Sequence, residues 1–132
     1  MSQPNTRPLS PHLQVYRPQL TSVLSISHRA SGVFLSAGAL VLSLLIYALA
    51  FDAPLYETVR GLFNTTIGQG ALCLWTFAFF YHFSNGIRHL FWDMGKGFSL
   101  PNVYISGYAV LASALVLTTI TLGYGHYVNI GQ

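Results

Sequence analysis

Apolar residues gather in three long runs along the chain, separated by short polar connections. No Lys, Arg, Asp or Glu falls between Arg29 and Asp52, between Arg60 and Arg88, or after Lys96. A helix that crosses the hydrocarbon layer needs about 20 residues at a 1.5 Å rise, and each uncharged stretch is at least that long. The runs are apolar on nearly every side rather than alternating with period two, which argues for lipid-embedded or buried helices and against barrel strands. The pattern predicts an all-α membrane protein with three transmembrane helices, about 22–50, 66–92 and 103–125, after a polar segment 1–21. Pro4, Pro8, Pro11 and Pro18 oppose a continuous helix before Thr21. The connections at about 51–64 and 93–102 are too short for another domain and no internal repeat is evident, so 1–132 reads as one membrane-anchor domain. Small residues such as Gly38, Gly70 and Gly107 suit close helix packing in lipid. Three helices make a thin bundle, so these are expected to form part of a heteromeric one.

Composition removes the main alternatives. Hydrophobic residues make up 52% of the chain and charged ones 7%, against roughly a quarter charged in soluble domains. A net charge of +3 on so few ionisable groups is too sparse for the basic stripe that nucleic acid binding needs. Abundant aliphatic and aromatic residues exclude disorder. Arg7, Arg17 and Arg29 precede the first helix and Arg88 and Lys96 flank the second connection, while Arg60 is the one basic residue on the other side. The positive-inside rule then places the N-terminus in the cytoplasm, or in the matrix of a mitochondrion. No short apolar core with a small-residue cleavage site precedes the first span, so a removable signal peptide is not expected. Met1 directly before a working N-terminus favours a bacterial inner membrane, with the mitochondrial inner membrane as the alternative. The lone Cys73 lies in the second span, without a second thiol for a metal or dithiol site, and is read as packing.

Ionisable residues at membrane depth are costly and point to function. His82 lies inside the second span, in the run Tyr81-His82-Phe83-Ser84-Asn85-Gly86-Ile87-Arg88-His89. Two readings stand for it: a packing histidine bonded to another helix, or an axial ligand of haem b in the bundle interior. His89, seven residues on, lies on the same face about 10 Å further along the axis. The two cannot grip opposite faces of one iron. His28, at the inner end of helix one, and His126, near the outer end of helix three, are not expected at the depth of His82, so a second ligand would come from another subunit. A second cluster opens helix one, where Ser25, Arg29 and Gly32 share a face with His28 beside it. A hydroxyl and a guanidinium on one face can donate to a carbonyl oxygen, and guanidinium also pairs with carboxylates such as haem propionates. The simpler reading makes His28 and Arg29 interfacial anchors. At the end of helix two, Arg88 and Asp93 mark the membrane boundary, and His89 could reach a propionate, a water chain or an interfacial hydrogen bond. All of these groups converge on one leaflet, where a redox site can exchange electrons with a soluble partner.

Arg7-Pro8-Leu9-Ser10-Pro11-His12, then Ser25-Ile26-Ser27-His28-Arg29-Ala30-Ser31-Gly32, and later His82-x-x-x-Gly86-Ile87-Arg88-His89-x-x-x-Asp93-x-Gly95, closely resemble the succinate dehydrogenase cytochrome b556 subunits. These are the larger membrane anchors of respiratory complex II. The resemblance covers essentially the whole chain, and its N-terminal form looks more like mitochondrial and alphaproteobacterial members. It implies that His82 is an axial ligand of haem b, with the other histidine supplied by a second, smaller three-helix anchor subunit. Ser25 and Arg29 would bind ubiquinone near the iron–sulfur subunit and polarise a quinone carbonyl, and His28 and Arg29 would lie close to the haem propionates. His89 and Asp93 are carried over only as site-proximal. FAD would reside in the flavoprotein and the clusters in the iron–sulfur subunit, so the chain alone would be inert. Two alternatives remain: a fumarate reductase-type anchor working in reverse, and a haem-free structural anchor in which His82 only packs.

Overall fold

The computed structural model describes residues 17–130, with the side chains of 129 and 130 left out. The motif Arg7-Pro8-Leu9-Ser10-Pro11-His12 and the prolines Pro4, Pro8 and Pro11 therefore lie outside the described residues. Within them the chain is helical throughout: α1 (Leu20–Phe51), α2 (Ala53–Phe63), α3 (Thr66–Asp93) and α4 (Leu100–Ile130).

The first helix begins where the prolines end. Gln19, in an extended conformation, precedes Leu20, and α1 then runs for 32 residues, about 48 Å at 1.5 Å per residue. The expected start at Ser22 falls within its first turn. The connection after it departs from expectation, because residues 53–63 form a helix of their own. Asp52 caps it by accepting a hydrogen bond from the Leu55 backbone N–H at 3.0 Å, and Pro54 sits in the first turn, where its missing N–H costs nothing. Glu57 and Arg60, one turn apart, form an ion pair at 3.6 Å, both largely exposed. Thr65 then caps α3, its hydroxyl accepting from Gly68 N–H at 3.1 Å.

By length and composition, α1 and α4 are the two helices among the described residues that are apolar enough to cross a membrane. The expected middle span, α3, is 28 residues long and so has ample length. Its hydropathy is lowered by Gln69, His82, Ser84, Asn85, Arg88 and His89, among them the histidines of the candidate site.

The α3 helix is the centre of the packing, touching α1, α2 and α4. A small core of Leu24, Tyr81, Val110 and Ala114 joins α1, α3 and α4, with Leu20, Phe77, Phe80 and Leu111 packed around it. Tyr81 is held there by donating its hydroxyl hydrogen to the Leu24 carbonyl at 2.8 Å, which satisfies the one polar atom that its ring brings into the core. Gly107 lets α4 approach, since a Cβ there would stand 2.8 Å from Leu24 Cδ1. Outside this core, large apolar side chains such as Val33, Leu40, Ile46, Leu49 and Ile67 are exposed.

The second connection is set by glycine. Gly95 has φ +74°, its N–H donates to Trp92 O at 2.8 Å, and Lys96 N–H donates to Phe91 O at 3.0 Å. These are the two hydrogen bonds of a Schellman ending, in which the residue after the C-cap turns left-handed. The turn sends the chain back antiparallel into α4.

A fork of hydrogen bonds fastens α3 to α4 just before that turn. Arg88 is only 5% exposed. Its Nε donates to Ser106 Oγ at 2.9 Å, one terminal nitrogen donates to the Val103 carbonyl at 3.0 Å, and the other reaches Asn85 Oδ1 at 3.5 Å. The guanidinium also lies over the Trp92 ring, 4.0 Å from its centroid. The guanidinium is therefore held within the helix pair, because α4 supplies acceptors within its reach.

Candidate functional site

The site lies where the first third of α1 crosses the second half of α3. His28 is the ninth residue of α1, about 12 Å from its start, and His82 stands 11 residues before the end of α3, about 16 Å in. Antiparallel packing brings these depths together, and the two imidazoles stack with centroids 4.0 Å apart and planes 13° apart. The expectation that His28 lies away from the depth of His82 is thus corrected. The two residues are 54 apart in sequence, and their meeting depends on how deeply the two helices are set against each other, which the pattern of apolar residues does not encode. His89 joins from the next two turns of α3, with its ring 5.2 Å from that of His28 and edge-on to Trp92 at the same separation.

The orientation of His82 follows from its contacts. Its Nδ1 lies 3.1 Å from the backbone carbonyl of His28 and 3.0 Å from Ser31 Oγ. A carbonyl oxygen only accepts, so Nδ1 carries the proton and donates it. Neutral imidazole has one N–H, and Nε2 is then left with a free lone pair. Among the described residues Nε2 has no hydrogen-bond partner. The ring also lies against Gly32, where a Cβ would come within 3.0 Å of His82 Cε1. The small residue makes the room that the imidazole fills.

This donor set fits a haem iron. An axial histidine is characteristically fixed by an Nδ1–H bond to a carbonyl and coordinates through Nε2. His28 Nδ1, buried beside it, has no partner among the described residues, and so one polar group at the site awaits an acceptor or donor. Because the His28 and His82 rings lie face to face, the two would not both hold one iron. No cluster of three or more metal-binding side chains occurs among the described residues.

Ser25 and Arg29 lie on the same stripe of α1 as Gly32, about 10 Å and 5 Å nearer its start. Ser25 is half-buried and Arg29 exposed. Asp93 is exposed at the last residue of α3 and makes no hydrogen bond or ion pair among the described residues. It is not drawn into the histidine cluster. His126 is exposed near the far end of α4. Two residues that bear on the site carried no role in the sequence reading: Ser31, whose hydroxyl touches His82, and Gly32, against which the ring packs. A serine three residues after a helical histidine can reach that residue's carbonyl, and a glycine next to it marks a place of close approach. A cavity of about 510 Å³ lies elsewhere, between α1, α2 and α3, lined by Phe34, Leu42 and Trp75 with Tyr56, Arg60 and Asn64 among its polar members. It holds none of the histidines.

Helices long and apolar enough to cross a membrane, with polar side chains gathered where they pack together, place the chain among the helical membrane proteins. Residues 3–121 match the family model of the succinate dehydrogenase/fumarate reductase transmembrane subunit. The chain is 41% identical over 114 residues to the succinate dehydrogenase cytochrome b556 subunit of Rickettsia bellii (strain RML369-C), covering 86% of this chain and 89% of that one. It is 40% identical over 129 residues to the succinate dehydrogenase cytochrome b560 subunit of Marchantia polymorpha, covering 93% of each. The mitochondrial cytochrome b560 subunit of Mus musculus is 40% identical over 114 residues, covering 85% of this chain and 68% of that one. The chain belongs to the succinate dehydrogenase/fumarate reductase transmembrane subunit family.

Proposed function

We propose that this chain is the larger membrane anchor of a succinate:ubiquinone oxidoreductase, holding haem b through His82 Nε2. The observation that carries the reading is the Nδ1–H of His82, committed to the His28 carbonyl and Ser31, which turns the opposite ring nitrogen into a free ligand. A second ligand would come from a smaller anchor subunit, since among the described residues no other histidine is placed to hold the same iron as His82. When bound, haem supplies a one-electron store within the bundle. His28 and Arg29 are the groups nearest to hand for its propionates.

In this reading α1, α3 and α4 all cross the inner membrane, with α3 carrying its polar residues on faces covered by neighbouring helices. The N-terminus lies on the cytoplasmic or matrix side, as the weight of basic residues at that side favours. There a flavoprotein with FAD and an iron–sulfur subunit dock, and ubiquinone binds between them and the anchors. Ser25 donates to a quinone carbonyl and Arg29 stabilises the negative charge that develops on its oxygen as electrons arrive. Reduction to quinol takes two electrons and two protons, the latter from water on the same side. The names of the relatives favour succinate oxidation over the fumarate-reducing direction.

Two measurements test the site. In the purified complex, Arg29→Leu should cut succinate-to-quinone electron transfer by at least tenfold, the loss of a charged group that acts on developing charge. Succinate-to-dye transfer should remain close to normal, because it ends before the quinone. Equal retention of both rates refutes the role of Arg29. Gly32→Val places two methyl groups where the His82 ring packs, and haem content should fall severalfold. Gly32→Ala, whose Cβ would meet the ring at 3.0 Å, should lose much less, as a ring shift of a few tenths of an ångström relieves the contact. Full haem content in Gly32→Val removes His82 from the proposed seat.

A further inference from the structure

Ser31 is one of several serines in this chain that donate to a carbonyl one turn back. Ser36 does so to Gly32 O at 2.9 Å and Ser43 to Ala39 O at 2.8 Å, both in exposed settings. Ser31 differs in being 8% exposed and in touching another helix. Its hydroxyl donates to His28 O at 2.8 Å while its oxygen stands 3.0 Å from His82 Nδ1.

The His28 carbonyl is oversubscribed. As a helical carbonyl it accepts from the backbone N–H four residues on, it accepts from Ser31, and His82 Nδ1 lies 3.1 Å away. A carbonyl has two lone pairs for these three donors. Ser31 Oγ, which has lone pairs of its own and lies slightly closer to Nδ1, takes up the excess. The result is a relay from His82 Nδ1–H to Ser31 Oγ–H to His28 C=O, in which each bond polarises the next.

We propose that Ser31 is a positioning residue for His82, whose hydroxyl accepts the Nδ1 proton and thereby sets both the direction of the ring and its donor strength toward iron. The inference rests on the haem reading above and deepens it. A well-accepted Nδ1–H makes Nε2 a stronger donor, which favours the ferric state and holds the reduction potential down. The His28 side chain has no part in the relay, because its backbone carbonyl is the end point.

The test uses the whole complex purified with Ser31→Ala, Ser31→Cys and Ser31→Thr, together with His82→Ala. Potentiometric titration of the b-type absorbance and the low-spin ferric EPR signal are the readouts. In Ser31→Ala the potential should move upward and the EPR g-values should change, with haem still bound. Ser31→Cys, close in shape but a poor acceptor, should move both the same way, and Ser31→Thr, which keeps the hydroxyl, should return them toward the parent. Parent-like potential and EPR in Ser31→Ala overturn the proposal. If Ser31→Ala fails to assemble, parent-like values in Ser31→Cys overturn it instead. Undiminished haem in His82→Ala would show a different fault, namely that His82 is not the ligand.

Discussion

Replacing His82 with alanine should abolish the b-type absorbance of the purified complex while the subunits still assemble. The ring has one nitrogen committed to α1, through the His28 carbonyl at 3.1 Å and Ser31 Oγ at 3.0 Å, and in the proposed function its other nitrogen would hold the iron. Neither neighbour can take over. His28 lies flat against the ring, and the His89 ring lies against His28. Alanine leaves a space the size of an imidazole beside Gly32, so added imidazole should restore part of the absorbance. That rescue separates loss of a ligand from loss of the fold. Unchanged absorbance in His82→Ala would leave the haem-free anchor as the better account.

The largest effect on stability is expected at Arg88. Arg88→Leu removes a guanidinium that donates to Ser106, Val103 and Asn85 and lies on Trp92, and it leaves buried acceptors without their donor. Hydrogen bonds to charged groups are worth about 1.5–3 kcal/mol in water, and polar contacts between helices in lipid about 0.6–1.7 kcal/mol. The combined loss should be about 3 kcal/mol. It would be read as a lower temperature of dissociation of α3 and α4 from the complex, or as poor recovery of assembled complex. Arg88→Lys should do nearly as badly, because an ammonium group cannot reproduce the planar fork that reaches all three acceptors. A lysine variant as stable as the parent would show that charge alone matters at this position.

What the sequence made legible followed from charge. Gaps between charged residues located α1, α3 and α4, and the start of α1 came within two residues because Pro18 blocks helix before it. Those gaps said nothing of α2, since a connection was judged by length alone. The signal was present in the Asp52 cap and in Pro54 beside it, a pattern that opens a helix whatever its length. The partners of Arg88 were hidden for a related reason: a charge at the end of an apolar run says nothing of the acceptors that a neighbouring helix supplies. The juxtaposition of His28 and His82 was likewise not in the pattern. Residues 54 apart come together through the relative depth of two antiparallel helices, which depends on where each one starts.

The small core has a consequence for the supply of this chain in a cell. Its own buried apolar contacts centre on Leu24, Tyr81, Val110 and Ala114, while residues such as Val33, Leu40, Ile46 and Leu49 face outward. A molecule with so little interior depends on what surrounds it, and its apparent stability follows the concentration of partners by mass action. Copies made beyond the number of partner subunits would be substrates for membrane proteases rather than a reserve. The steady-state amount of this chain should therefore track its scarcest partner, whatever the strength of its own promoter.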